Sequence, residues 1–591
     1  MQADDEPTIG GRTPARPLLL ALLALVVVVC GVYFRIFDAS FVGMDDDINV
    51  YANPFLNPVS VDNVGRFWRH AYEGLYIPLA YTIFAGIALL ARMPAETLSS
   101  INQAVTLSPA AFHVASIAFH VVNAWLCFLL ALQLTRSRKL ALLCSLVFAA
   151  HPLQVESVAW ISELRGLSSA SFALAALNGF ILSRQVANPR RARNLLIASA
   201  LLAIGALLCK PAAAALPLLV LIIDRVALRT PWRKSLWTAS TLAVCVLPII
   251  VLTRTVQVVD PLGASRAWQR PFIAGHSLAF YLFKTVVPTD LGLRHGRTPQ
   301  WVLAHSWNYM IGAVPLGLFV FCFIRRQQRP LTWLGSLVFI AFLLPTLGLI
   351  PFAYQAQSTV ADRYAYLPMV GIGLIAADTV SAIRPKRALL VGSVLAALLG
   401  VLSFNQTWYW IDNTEFLRHM IDINPQVSFA HNNLADILLK EGHVDEAIEH
   451  FNQALELDPG NAMAENNLGL TLAKLGRLED AEPHYRKAVQ LNPRYAKAYE
   501  NLAAVYLQTK RFDAAIVSLQ AALELQPSEA KALNDLGVAY MQSGKAAEGL
   551  DAFRRAVDAE PNNPRYRMNL GNTLRQQGYS DEAQQYLAPP Q

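Results

Sequence analysis

The chain has 591 residues, of which 54% are hydrophobic and 15% charged, and its mean hydropathy of +0.35 excludes an ordinary soluble protein. Its net charge of +7 comes with arginine-rich short loops, which indicate membrane topology and require no nucleic-acid partner. Apolar runs dominate up to about residue 407, and a polar, evenly patterned sequence follows from Asp412. We therefore predict a cytoplasmic tail at 1–17, a membrane domain at 18–407 and a soluble domain at 408–591.

Apolar stretches recur along the membrane domain, and a bilayer-spanning helix needs roughly 20 apolar residues. We predict about eleven spans, at 18–37, 109–134, 139–153, 165–183, 194–209, 211–228, 235–253, 308–324, 331–350, 364–382 and 387–405. The stretches 76–92 and 272–288 are ambiguous. Basic clusters such as 136–139 and 325–329 all fall on one side, the cytoplasm, if 272–288 does not cross. The soluble domain then lies on the periplasmic, or otherwise non-cytoplasmic, side of a multi-pass protein of the cell inner membrane.

Three consecutive carboxylates, Asp45, Asp46 and Asp47, follow the first predicted span. Carboxylates are costly to bury at a membrane boundary, so a cluster there suggests a function. Taken alone, the triplet also fits a solvated loop that caps the end of a helix.

Further charged residues stand in later loops that the topology places on the same side as the triplet. These residues are Glu156, Glu163 and Arg165 around the third loop, Lys210 between the fifth and sixth spans, and Asp362 and Arg363 before the span at 364. One side of the membrane thus presents carboxylates from the first loop and cations from three others. This pairing suits transfer from an anionic lipid-anchored donor, because an aspartate can deprotonate the acceptor while arginine and lysine hold the departing phosphate.

A period of 34 residues governs the soluble domain. Proline recurs at this spacing (Pro425, Pro459, Pro493, Pro527 and Pro561), as does the turn glycine (Gly442, Gly476, Gly544 and Gly578, with Lys510 in its place once). This period is the tetratricopeptide (TPR) pattern of paired helices. We predict about five repeats after a lead-in helix at 414–423, stacked into a superhelix whose concave face holds a peptide or protein segment.

Asparagines recur at one offset of the repeats. They are Asn433, Asn467, Asn501 and Asn569, with Asp535 in the fourth repeat. Such a ladder can bind the backbone of a protein acceptor or can join neighbouring helices, and the sequence favours neither.

Several stretches resemble a known family. The stretches are 41–46, 53–54, 151–160, 210–224 and 361–368, in that order and followed by the repeats. Together they resemble the bacterial tetratricopeptide membrane proteins, which are similar to the transmembrane-and-TPR O-mannosyltransferases of the GT-C superfamily. The resemblance covers nearly the whole chain. It implies an all-α chain with a GT-C-like membrane domain, a polyprenyl-phosphate sugar donor, and a catalytic base in the acidic first loop.

The resemblance also implies roles for single residues. Asp45 or Asp46 is the implied base, and Arg165, Lys210 and Arg363 are the implied contacts of the donor phosphate. The supporting residues are His151, Glu156, Asp362 and Tyr364. Related chains read Glu-Arg-Lys-Asp where this chain has Glu-Leu-Arg-Gly at 163–166, so the role of Arg165 rests on the basic residue alone.

We therefore predict a glycosyltransferase that moves a sugar from polyprenyl phosphate to a hydroxyl of a protein acceptor. No cofactor is expected to be required, although the carboxylates of Asp45 and Asp46 would suit Mg²⁺ or Mn²⁺. The main alternative is a non-catalytic, membrane-anchored TPR scaffold for envelope or secretion assembly. A transporter or flippase is disfavoured, because few ionisable residues fall in the middle of a span.

Overall fold

A computed structural model describes residues 15–93, 107–256 and 265–587, so all but three residues of the predicted tail at 1–17 lie outside the described part. The regular elements of the described residues are helices, with no β-strand among them, which confirms the predicted all-α class. The chain divides into two compact units, Met1–Pro425 and Gln426–Gln591.

The described residues of the first unit form seventeen α-helices, which are joined by short 3-10 and π-helical turns. The helices are α1 Ala15–Val32, α2 Val61–Arg69, α3 Pro78–Leu90, α4 Pro109–Thr135, α5 Arg138–Ala150, α6 Val155–Ala159, α7 Leu164–Gln185, α8 Pro189–Cys209, α9 Leu216–Ile222, α10 Trp232–Val256, α11 Arg270–Val286, α12 Pro299–Ala304, α13 Trp307–Ile324, α14 Pro330–Leu343, α15 Met369–Ser381, α16 Pro385–Gln406 and α17 Asn413–Ile423. At its centre α7 packs against α4 and α8, while α5 packs against α4 and α15.

Six helices of the described residues are long and apolar enough to cross a membrane, and each coincides with a predicted span. They are Pro109–Thr135, Ile161–Gln185, Pro189–Cys209, Trp232–Val256, Trp307–Ile324 and Leu390–Trp410. A seventh is added if α5 and the segment Pro152–Ala159, which meet at a bend of 57°, count as one span. The structure thus supports several membrane-spanning helices but does not establish the eleven that we predicted.

The remaining predicted spans are short or interrupted helices. α1 ends at Val32, before a 3-10 turn, and Pro152 stands directly after the residue that ends α5. The stretch 211–228 is divided into a 3-10 turn, α9 and a π-helical turn. Mean hydropathy overlooks such breaks, because they depend on proline and on local hydrogen bonding rather than on apolar content. The ambiguous stretches 76–92 and 272–288 form α3, with 13 residues, and α11, with 17.

The segment between α1 and α3 carries the aspartate triplet and is held by aromatic packing. The rings of Phe67 in α2 and Tyr81 in α3 stack with their centroids 4.5 Å apart. The Tyr81 hydroxyl donates a hydrogen bond of 2.9 Å to the Asn49 side chain, in the π-helical turn Asp47–Tyr51. This packing fixes the loop in which the triplet lies.

The second unit consists of five helix pairs and confirms the predicted TPR repeats. The pairs are α18 Ser428–Glu441 with α19 Val444–Leu457, α20 Ala462–Lys474 with α21 Leu478–Leu491, α22 Ala496–Gln508 with α23 Phe512–Leu525, α24 Ala530–Gln542 with α25 Ala546–Ala559, and α26 Pro564–Gln576 with α27 Ser580–Leu587. The turn glycines have φ between +77° and +89°. Glycine adopts this left-handed conformation without the steric cost of a side chain, which explains its recurrence at the turn.

Lys510 takes the place of glycine in one turn and has φ of +59°. A side chain in the left-handed region costs roughly 1–2 kcal/mol. We therefore expect Lys510→Gly to raise the free energy of unfolding of the repeats by about 1 kcal/mol, measured by thermal unfolding of the full chain with far-UV circular dichroism. The converse change Gly544→Lys, at a turn where an added Cβ would meet no atom within 4 Å, should lower it by a similar amount. A lower melting temperature for Lys510→Gly would contradict the prediction.

Candidate functional site

A cavity of about 390 Å³ opens in the first unit, within the size range of small-molecule sites. Five of the predicted site residues line it: Asp45 from the first loop, Arg165 from α7, Lys210 after α8, and Arg363 and Tyr364 from the turn before α15. The cavity thus gathers segments that are up to about 300 residues apart in the sequence and brings carboxylates and cations together.

A buried carboxylate, Glu163, organises the cations. One of its oxygens accepts a hydrogen bond of 2.6 Å from Lys210 Nζ, and the other lies 3.5 Å from Arg165 Nε and 3.8 Å from Arg363 Nε. Arg363 also donates a hydrogen bond of 2.7 Å to Glu156, which is likewise buried. Since buried charges require partners, these two glutamates hold the three cations in place.

The glycine that follows Arg165 leaves room for the Glu163–Lys210 pair. A Cβ on Gly166 would lie 2.5 Å from Glu163 Oε2 and 3.2 Å from Lys210 Nζ. A larger residue at this position would therefore shift the side chains of the Glu163–Lys210 pair.

The two candidate bases lie in different environments. Asp46 is buried, and its carboxylate accepts hydrogen bonds from the Val42 amide (3.1 Å), the Ser162 amide (2.9 Å) and the Ser162 hydroxyl (2.6 Å). Burial raises the pKa of Asp46 to about 7. The side chain of Asp45 is 46% exposed and lines the cavity, with Oδ2 at 3.9 Å from Arg165 Nη2. Asp45 is thus open to a ligand, whereas Asp46 holds the loop.

The backbone at Asp45 adopts a conformation that side chains disfavour, with φ of +61°. Neighbouring hydrogen bonds enforce it: Trp160 Nε1 donates to the Met44 carbonyl at 3.0 Å, and the Asn49 amide donates to the Asp45 carbonyl at 2.7 Å. Such strained residues occur preferentially at functional sites.

Arg363 is surrounded by aromatic rings. Its guanidinium carbon lies 4.3 Å from the ring centroid of Tyr354, 5.1 Å from that of Tyr364 and 5.3 Å from that of Trp160. Stacking of this kind favours arginine over lysine, because the planar guanidinium can lie against a ring while its N–H groups donate elsewhere.

Three predicted supporting residues do not line the cavity. His151 is buried, accepts a hydrogen bond from the Leu153 amide and contacts the Thr285 carbonyl at 3.2 Å. Glu156 is occupied by Arg363, as described above. Asp362 lies 3.0 Å from His295 Nε2 and accepts a hydrogen bond from the Gly292 amide, so it anchors the loop before α12. The three side chains are thus held by protein partners outside the lining of the cavity.

Sequence reasoning missed two charged residues of the cavity, Glu73 and Arg294. Glu73 is exposed in a tight turn with φ of +48°. Burial lowers the pKa of Arg294, which belongs to a loop that the predicted topology places outside. No motif marks either residue, because their relevance comes only from the folding of their loops toward Asp45.

The asparagine ladder joins neighbouring repeats. Amides of the predicted set donate to an asparagine one repeat earlier, in the pairs Asn467–Asn432 (3.3 Å), Asn501–Asn466 (2.9 Å) and Asn569–Asn534 (2.7 Å), while Asn433 accepts from its neighbour Asn432 (3.0 Å). These bonds show the helix-joining role that the sequence left open. The binding of an acceptor by the same side chains stays a prediction.

No group of three or more histidine, cysteine, aspartate or glutamate side chains suited to a metal ion occurs within the described ranges. The expectation on Mg²⁺ or Mn²⁺ at Asp45 and Asp46 stays a prediction. The three protein donors on Asp46 fit a structural role for that carboxylate better than the role of a ligand.

Known proteins resemble parts of the chain. Residues 412–591 match the family described as the cilia and flagella-associated protein 70 C-terminal domain. A stretch of 107 residues is 35% identical to protein O-mannosyl-transferase Tmtc1 of Drosophila melanogaster and spans 18% of this chain and 12% of that protein. Among solved structures, MamA is 28% identical, with a TM-score of 0.26, over 27% of this chain and 87% of MamA. YrrB, a TPR protein, is 21% identical, with a TM-score of 0.27, over 29% of this chain and 89% of YrrB.

The different environments of the two aspartates predict different effects on stability. Asp46→Asn places an amide group among three hydrogen-bond donors, so we expect it to lower the free energy of unfolding by about 1–3 kcal/mol. Asp45→Asn should change it by less than about 0.5 kcal/mol, because that side chain is half exposed. Thermal unfolding of the purified full chain in detergent measures both. Equal losses in the two variants would contradict the assignment.

Proposed function

We propose that the chain is a membrane glycosyltransferase of the GT-C type. It would move a sugar from a polyprenyl-phosphate donor to a hydroxyl of a protein acceptor bound by the repeats, on the non-cytoplasmic side of the inner membrane. The cavity in which Asp45 faces Arg165, Lys210 and Arg363 is the observation that carries this proposal. The partial similarity to the O-mannosyltransferase Tmtc1 supports the same class of reaction.

In the proposed reaction Asp45 acts as the general base. Its carboxylate takes the proton of the acceptor hydroxyl while the hydroxyl oxygen attacks the anomeric carbon of the sugar from the face opposite the phosphate. The bond between the anomeric carbon and the phosphate oxygen breaks, and the phosphate leaves with its electron pair. The product carries the inverted configuration at the anomeric carbon.

The cations stabilise the charge that develops on the leaving phosphate. Arg165 and Arg363 can each present parallel N–H groups to phosphate oxygens, and Lys210 supplies a point charge. Because Glu163 and Glu156 already hold these side chains, the site would need little reorganisation when the phosphate departs. Burial lowers the pKa of Lys210, although the carboxylate of Glu163 opposes that effect.

The competing proposal is a non-catalytic TPR scaffold anchored in the membrane, and the five repeats support it. TPR arrays commonly hold peptide or protein segments. The two proposals differ in the first unit, because a scaffold requires neither the exposed carboxylate of Asp45 nor the cations opposite it.

The aspartate triplet supplies its own matched control for the catalytic proposal. Asp45→Asn should reduce sugar transfer by at least about 100-fold, because it removes the base. Asp47→Asn removes the same charge two residues away, at a position outside the lining of the cavity, and should retain activity within about twofold. The assay follows labelled hexose from synthetic polyprenyl-phosphate hexose into precipitated protein in membranes that contain the full chain. Full activity of Asp45→Asn would refute the mechanism, and unchanged growth and envelope phenotypes for that variant would favour the scaffold.

Reporter fusions test the proposed side of the membrane. A fusion after Trp408 should give an active alkaline phosphatase, which requires an oxidising compartment, and a non-fluorescent cytoplasmic reporter. A fusion after Arg191 should give the reverse pattern, because the cluster at 190–193 is predicted to be cytoplasmic. Cytoplasmic reporter activity after Trp408 would refute the topology.

A further inference from the structure

A strongly basic turn joins α13 to α14. Arg325, Arg326 and Arg329 fall within five residues, and all three side chains are exposed. Their described hydrogen bonds go to neutral groups: Arg325 donates to the Gln328 side chain at 2.8 Å, Arg326 to the Phe323 carbonyl at 2.8 Å, and Arg329 to the Asp378 carbonyl at 3.2 Å. The turn therefore presents three positive charges to its surroundings.

The nearby carboxylate of Asp378 is occupied by a different group. It accepts hydrogen bonds from the Thr332 amide at 3.2 Å and the Thr332 hydroxyl at 2.6 Å, at the start of α14, and its side chain is buried. The described hydrogen bonds of this carboxylate thus go to Thr332 and not to a guanidinium group, and the turn keeps a net positive charge.

A cavity of about 270 Å³ lies beside this turn. Arg325 and Arg329 line its polar side together with Thr332 of α14 and Thr379 of α15, and Phe321 of α13 lines its apolar side. The site is therefore built from three helices and combines cations, hydroxyl groups and an aromatic wall.

The apolar side continues onto the surface of α13. Only 11% of the apolar window of this helix is buried, so most of its side chains face outward along its length. Phe321, Phe323 and Ile324 are exposed at the end next to the basic turn. In a membrane protein such a surface contacts acyl chains, and the basic turn then lies at the level of the lipid headgroups.

We propose that this cavity binds the headgroup of an anionic phospholipid, whose acyl chains lie along α13. Arg325 and Arg329 pair with the phosphate, for which the guanidinium geometry is suited, and Thr332 and Thr379 line the polar space that the headgroup enters. The site is distinct from the cavity around Asp45 and does not depend on the proposed glycosyl transfer. The site gives the chain a preference for anionic lipids in the leaflet in which the turn lies.

Native mass spectrometry of the purified full chain tests the proposal. The chain is titrated with phosphatidylglycerol and, separately, with phosphatidylcholine that has the same acyl chains. We expect the anionic lipid to bind at least about tenfold more tightly, and Arg325→Gln with Arg329→Gln to weaken its binding about 25-fold, at roughly fivefold for each charge. Equal affinity for the two lipids would overturn the proposal.

The matched control removes two equally exposed arginines elsewhere. Arg190→Gln with Arg191→Gln, at the start of α8, should leave the binding of phosphatidylglycerol within about twofold, because this pair lines a different surface. An equal loss in both double variants would show a general effect of charge and would overturn the specific site. Arg325→Gln alone, which gives up only an exposed hydrogen bond to Gln328, keeps the test valid if the double variant misfolds. Wild-type affinity in that single variant would also overturn the proposal.

Discussion

The burial of Glu163 is the constraint on which the candidate site depends. A carboxylate with almost no contact to solvent cannot remain charged without partners, and it finds them in Lys210, Arg165 and Arg363. These cations come from the end of α8, the start of α7 and the turn before α15. A single electrostatic requirement therefore brings three helix ends together. Loss of one partner from such a group typically costs 3–5 kcal/mol, so the cavity wall and the packing of the helices are coupled.

The neighbouring carboxylates Asp45 and Asp46 divide two tasks that one residue could not perform. Asp46 accepts hydrogen bonds from Val42 and Ser162 and so joins the first loop to the segment before α7. That attachment holds the strained backbone of Asp45 with its side chain open to the cavity. A base needs an accessible lone pair, whereas a structural anchor needs hydrogen-bond donors on its oxygens. Adjacent acids in a tight turn meet both needs.

The sequence predicted what depends on periodicity and composition. The period of 34 residues gave the five repeats and the unusual turn at Lys510, and apolar length gave six helices that could span a membrane. The breaks in the other apolar stretches were missed, because a proline or a π-helical turn interrupts the helix without lowering the mean hydropathy of the stretch.

Within the site, the sequence named residues of the right charge but could not pair them. The sequence showed Glu163 only as one of several charged loop residues, and its role as a shared partner follows only from the fold. Glu73 and Arg294 stand in loops without a motif, and three of the ladder asparagines donate to other asparagines in the preceding repeat. Pairings of this kind depend on contacts between distant segments, which no local pattern reports.

The cost of the buried charges bears on the choice between an enzyme and a scaffold. A membrane anchor needs apolar helices and well-packed loops, and replacing buried ion pairs with apolar side chains of similar volume is often neutral or stabilising. This chain instead keeps Glu156 and Glu163 buried in contact with three cations, and it places Asp45 in the cavity that these cations line. Stability alone does not account for that arrangement. A reaction that releases a phosphate anion and uses a general base requires both the cations and the Asp45 carboxylate. The arrangement of charges therefore supports the proposal of catalysis in the first unit over the proposal of a scaffold.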